Sequence, residues 1–239
     1  MSSYRFQSRL FPLLLTVSVT ILMIGLGFWQ LDRAEQKQVA KTAYELRSTQ
    51  PQTVVGEELL DEAGFEYFNA GVRGVYEPDL QVFEDNRIVA GRPGYYVFTP
   101  FRIEGSDTRI MVNRGWIPWG QDITQAPLIE TPGGLVTIEG VLKAPTRGYY
   151  SLEDSPPVLG QQIWQNFDLD HFRTLVDFPV QPLYLLLSPS SEVGGFKRQW
   201  PVFADKDVAR HHGYAVQWFA MAFVLVLVFL WATIRKVED

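Results

Sequence analysis

LFPLLLTVSVTILMIGLGFWQL, residues 10–31, carries no group charged at neutral pH. Wound as a helix at about 1.5 Å per residue, it is long enough to cross a hydrocarbon core about 30 Å thick. A second run, GYAVQWFAMAFVLVLVFLWATI at residues 213–234, has the same property and the same length. Two crossings return the chain to the side on which it began. The 180 residues between them, 32–211, are of mixed polarity and form a domain tethered at both ends.

The flanks set the expected orientation. Residues 1–9 carry Arg5 and Arg9 and no acid, and residues 235–239 open on Arg235 and Lys236. Basic short tails stay in the cytoplasm, whereas long loops translocate largely regardless of charge. The expected order is a cytoplasmic tail (1–9), a first transmembrane helix (10–31), an extracytoplasmic domain (32–211), a second transmembrane helix (212–234) and a cytoplasmic tail (235–239). Nine residues are too few for an Arg- and Ser-rich transit peptide, which points to the inner (plasma) membrane of a bacterium and a periplasmic domain. The first run is long for a signal peptide, has no small-residue cleavage site after it, and leads straight into Asp32, Arg33 and Glu35. It reads as an uncleaved anchor.

Composition removes several functions. The domain holds 17 Lys or Arg against 25 acids, a net of −8, which excludes a nucleic-acid surface. There is no cysteine, so disulfides, thiolate zinc, iron–sulfur clusters and covalent haem attachment are all ruled out. Nucleotide-binding loops of the GxxxxGK type, GxSxG elbows and HExxH motifs are missing as well, and no enzyme activity is expected. No acid or base lies mid-membrane, which argues against ion-coupled transport.

Within the domain, residues 32–47 are rich in Ala, Glu, Gln, Lys and Arg and extend the first helix beyond the membrane, with Pro51 past its end. Strands are expected at 66–76, 81–84, 95–103, 109–112, 135–142, 162–167 and 183–187. Turns are expected at GRPG (91–94) and EGSD (104–107). A short helix follows Asp168 as N-cap, with Leu169, Phe172, Leu175 and Val176 at helical spacing. Asp205 or Asp207 is expected to cap the second span. The class is α+β: two transmembrane helices flanking a mostly antiparallel sheet or partly closed barrel.

The residues with chemical potential gather at the outer ends of the spans. On a helix at 100° per residue, His211, Tyr214, Ala215 and Trp218 share a face, and His212 points about 100° away. On the first span Trp29 and Arg33 share a face, Gln30 is adjacent, and Gly25 and Gly27 permit close helix approach. An imidazole beside flat aromatics at a membrane interface suits an axial haem ligand, with Arg33 placed for a propionate. The alternative is an ordinary interfacial belt, since Trp and Tyr anchor many membrane helices. In VNRGWIPWG (112–120), Gly115 allows an unusual backbone angle, Trp116 and Trp119 pack the core or face the membrane, and Arg114 is expected to pair with an acid or a ligand carboxylate.

LGFWQLDRAEQK (26–37), DNR (85–87), GYYVFTPF (94–101), VNRGWIP (112–118) and HHGYAVQWF (211–219) together resemble the Surfeit locus protein 1 family of cytochrome c oxidase assembly factors. The resemblance covers the whole chain. It implies a chaperone of respiratory-chain biogenesis that binds haem a transiently and helps place it in the catalytic subunit, subunit I. The implied partners are that subunit, haem a synthase and membrane lipid. The family's His-x-x-Tyr-x-x-x-Trp pattern falls on His211, Tyr214 and Trp218, making His211 the implied iron ligand. His212 beside it is a departure that keeps both rings in play. A scaffold that binds no cofactor, docking unfinished subunits through surfaces around Trp116, Trp119 and Trp164, is the competing expectation. A membrane-anchored sensor is disfavoured by the shortness of both tails.

Overall fold

The computed structural model describes residues 4–6, 10–148, 156–191, 196–200 and 205–236. In chain order these form β1 (Tyr4–Phe6), α1 (Leu10–Arg47), β2 (Thr53–Val54), α2 (Glu62–Phe65), β3 (Asn69–Tyr76), a 3₁₀ turn (Pro78–Leu80), β4 (Val82–Val89), β5 (Arg92–Ile103), β6 (Arg109–Pro118), β7 (Val136–Lys143), β8 (Ile163–Trp164), α3 (Leu169–Leu175), β9 (Val180–Leu187), α4 (Asp205–Thr233) and β10 (Ile234–Lys236). The chain divides into two compact units, residues 1–42 with 201–239 and residues 43–200, and α1 belongs to both.

The first unit is a helical hairpin. Both of its helices are long and apolar enough to cross a membrane. Beyond the apolar run α1 continues unbroken through the strong helix formers, helped by Gln36 Nε2 donating to Asp32 Oδ2 one turn back at 2.8 Å. At one end of the hairpin β1 pairs antiparallel with β10, with Tyr4 opposite Lys236. At the other, Gln30 meets His211. The helices therefore run antiparallel. Their outward faces expose Phe11, Ile21 and Leu22 on α1 and Phe223, Val224 and Trp231 on α4, an apolar surface suited to lipid. The side chains of Asp205 and Asp207 lie outside the described residues, so the expected cap falls there too.

The second unit is a β-barrel with additions. Strands β3, β5, β6, β9 and β7 close a ring in that order, each antiparallel to its neighbour except β6 and β9. One edge of β3 is divided: β2 pairs with Ala70 and Gly71, and β5 pairs from Gly74 to Tyr76, which shuts the barrel. Side chains alternate as a half-buried strand demands. Leu183, Leu185 and Leu187 of β9 point inward with Val72, Phe101, Ile110, Val112 and Ile138. Outside the ring, α3 covers a second core of Met111, Trp164, Phe167 and Phe172. Strand β6 is thus buried on both faces, which is why its sequence lacks clean alternation. The Asp168 cap forms as expected, its Oδ1 accepting from His171 N at 2.9 Å.

The strand expected at 162–167 shrinks to Ile163–Trp164, and that expected at 66–76 starts at Asn69; three further expectations change. The turn expected at 91–94 sits one step earlier, at Ala90 and Gly91, whose φ values of 51° and 75° mark a two-residue hairpin with both central angles positive. Strand β6 runs six residues past 112, because β5 offers it a full-length partner down to Gly94. Strand β4 also runs past 84, through a bulge at Asp85 and Asn86, where Asn86 takes φ 55°.

Candidate functional site

The hairpin seam is built from small residues. Gly27, Gln30 and Ala34 of α1 are buried, as are Ala215 and Ala222 of α4. Spacings of three and four on α1, and of seven on α4, put each set on one stripe. At Gly27 the Phe219 ring lies where any Cβ would be, so a larger residue must push that ring aside. Phe219 also packs edge-on against Phe28, with centroids 5.4 Å apart. Neither phenylalanine figured in the site expected from sequence. The spacing of four from His211 through Ala215 to Phe219 is the signal that could have found the second.

His211 enters this seam half-buried. Its Nδ1 lies 2.6 Å from Gln30 Oε1, and Gln30 is 9% exposed. An amide oxygen only accepts, so in this pairing Nδ1–H donates, which in the neutral ring leaves the lone pair on Nε2. Among the described residues Nε2 has no hydrogen-bond partner.

Helix rotation orders the rest. Taking the seam as reference, residues three or four steps along the chain on antiparallel helices map to defined flanks. Trp29 and Arg33 of α1 and Tyr214 and Trp218 of α4 fall on one flank. Phe28, Leu31, His212 and Phe219 fall on the other, in keeping with the ring contact between Phe28 and Phe219. Trp29 and Tyr214 are about half exposed, and Trp218 is partly covered. The Arg33 guanidinium lies over the Trp29 ring at 5.9 Å, and its Nη1 donates to Gln36 Oε1 at 2.9 Å. Of the expected site residues, His211 and Gln30 touch each other. Trp29, Arg33, Tyr214 and Trp218 lie on the flank beside them, and His212 is exposed on the opposite side.

Among the described residues no three His, Asp or Glu side chains converge to hold a metal ion. A macrocycle that brings four equatorial nitrogens needs only one or two axial ligands from protein. One imidazole nitrogen without a partner among the described residues, with flat rings and an arginine on the adjoining flank, matches that requirement. The donor set fits haem and does not fit a bare ion.

The aromatic motifs of the barrel are structural. Trp116 and Trp164 are each 1% exposed, so these two rings are core and not docking contacts, whereas Trp119 is half-buried. Trp116 Nε1 donates to Arg87 O at 2.6 Å, and Trp119 Nε1 to Asp85 Oδ1 at 2.8 Å. Arg87 Nη2 donates to Glu84 Oε1 and Asn166 Oδ1. DNR on β4 and GWIPW at the end of β6 thus tie together the two strands that flank β5, through backbone and carboxyl groups. Arg114 is the extra residue of a bulge before Gly115, which holds φ 129°. That bulge turns Arg114 inward to donate to Gln81 Oε1, Thr131 Oγ1 and Glu130 O, between the rings of Tyr76 and Phe196. The expected carboxylate partner is replaced by neutral acceptors. Burial lowers the Arg114 pKa and pushes the Tyr76 phenol up to about 12.

Comparison with known proteins shows the family of the chain. A SURF1-like protein of Rickettsia bellii is 25% identical over 222 residues, covering 90% of this chain and 88% of its own length. One from Rickettsia felis is 27% identical, covering 91% of this chain and 94% of its own. One from the choanoflagellate Monosiga brevicollis is 24% identical, covering 92% and 86%. The profile of the SURF1 family matches residues 17–223, from within the first apolar helix to within the last. This chain, a membrane protein, belongs to the SURF1 family.

Proposed function

We propose that this protein is an assembly factor for cytochrome c oxidase that takes haem a into transient custody and assists its insertion into subunit I. The observation that carries the reading is the end of the hairpin, where His211 is held by Gln30 with Nε2 unused beside a groove of Trp29, Arg33, Tyr214 and Trp218. In this reading His211 Nε2 would hold the haem iron, Arg33 would pair with a propionate, and the rings of Trp29, Tyr214 and Trp218 would shield the macrocycle. The lipid-facing groove accommodates a hydrocarbon tail without exposing it to water. A single good axial nitrogen favours release over permanent retention, and the role is carriage without catalysis. Haem a synthase supplies the cargo and subunit I receives it. The hairpin lies in a bacterial inner membrane with both termini cytoplasmic and the barrel in the periplasm.

A scaffold that binds no cofactor is the second reading; with Trp116 and Trp164 buried, its docking surface would have to use other side chains, half-buried Trp119 among them. The test is an absorption spectrum. The full-length protein is co-expressed with haem a biosynthetic enzymes, purified in mild detergent, and compared with His211→Ala and His212→Ala. Near-stoichiometric haem a, lost only in His211→Ala, is expected. Loss only in His212→Ala moves the ligand to the opposite flank. A folded, colourless wild type overturns the proposal.

A further inference from the structure

The polar contact at the seam gives Gln30 a role apart from touching cargo. Gln30 is buried on α1 while its neighbours Trp29 and Leu31 are more exposed, so its amide is directed at α4. There Oε1 meets His211 Nδ1 at 2.6 Å. A buried amide carbonyl facing an imidazole nitrogen fixes two things at once. It orients the ring, and it selects the tautomer whose proton is on Nδ1. Free imidazole in histidine favours the other tautomer, with the proton on Nε2, and that form offers no lone pair toward the groove. We propose that Gln30 is the positioning residue of the site: it holds His211 as the Nδ1–H tautomer and so presents Nε2 as a ready ligand before any cargo arrives. The role of that nitrogen as a haem ligand rests on the function proposed above; the tautomer itself does not.

The two are tested apart. The haem-free, full-length protein is labelled with ¹⁵N-histidine and its nitrogen spectrum recorded in detergent at about pH 8, where ordinary imidazole is neutral. For His211, a protonated Nδ1 and an unprotonated Nε2 are expected. Gln30→Leu is expected to shift the ring toward the Nε2–H form, and Gln30→Glu, which keeps an acceptor, to preserve the wild-type form. A wild-type His211 protonated on Nε2, or a spectrum unchanged in Gln30→Leu, overturns the assignment. On the haem side, retention of haem a is expected to fall roughly 10- to 100-fold in Gln30→Leu and to be held in Gln30→Glu. A wild type that carries the Nδ1–H form yet takes up no haem a overturns the carrier reading and leaves the tautomer assignment standing.

Discussion

Ala90 is an exposed residue held at φ 51°, in the left-handed region that costs an L residue about 1–2 kcal/mol. Ala90→Gly is expected to raise stability by about 0.5–1 kcal/mol, the relief of strain being partly offset by the freer unfolded chain. The urea midpoint measures it. Gly115 is the opposite case. With φ 129°, a Cβ there would stand 2.6 Å from Phe196 Cβ. Gly115→Ala is expected to destabilise by about 2 kcal/mol, read by the same titration. Glu84 illustrates charge. Burial raises its carboxyl pKa, and Arg87 and the Phe167 N–H only partly oppose that. The folded state therefore holds the Glu84 proton more tightly than the unfolded chain does. Its contribution is complete below the ordinary carboxylate range and is lost as pH rises through the raised value. Relative to wild type, Glu84→Gln is expected to reduce the gain in stability between about pH 7 and about pH 4. Chemical denaturation at the two pH values decides it.

At the scale of elements, the hairpin depends on how closely α1 and α4 approach. Gly27→Leu drives a side chain into the Phe219 ring and is expected to cost about 1–3 kcal/mol in detergent unfolding. It should also lower haem a retention, because parting the helices separates Gln30 from His211. Adding Phe219→Ala removes the obstructing ring and is expected to recover part of both losses, with a coupling of about 0.5–3 kcal/mol between the two substitutions. If the effects of the two changes simply add, the seam is not the contact that matters. Some elements were legible locally. The break of α1 before Pro51, the Asp168 cap and the Leu183–Leu187 strand follow from helix propensity, side-chain capping and a buried apolar run. The length of β6 was not, because its last residues are ordered by β5 and by Lys197, which bridges Trp116.

For the whole molecule, the two apolar helices make insertion the dominant energetic event. Leu22 is 62% exposed, facing outward near the middle of its span. Leu22→Arg is expected to raise the insertion free energy by about 2.5–3.5 kcal/mol, seen as a smaller fraction resistant to alkaline extraction. Orientation is checked with a fluorescent protein that matures only in the cytoplasm. Fusions at either terminus are expected to fluoresce, and a fusion within the turn at 104–107 is not. The opposite pattern would move the barrel to the cytoplasm and with it the proposed role.

The sequence by itself determined the two spans, the α+β class and most strand positions. Those properties come from runs and periods of apolar side chains a few residues long, and they need no distant partner. It also brought His211, Gln30, Trp29, Arg33, Tyr214 and Trp218 into one short catalogue, through interfacial position and helical spacing. Only the tertiary structure decided that β3 and β5 close a ring, since that pairing joins residues nearly thirty apart through backbone groups any sequence carries. It alone gave Arg114 neutral partners and took Trp116 and Trp164 out of the surface. And it alone set His211 against Gln30, 181 residues earlier in the chain, because which face of a helix meets its neighbour depends on packing across the seam, where glycine at position 27 yields to the ring of Phe219.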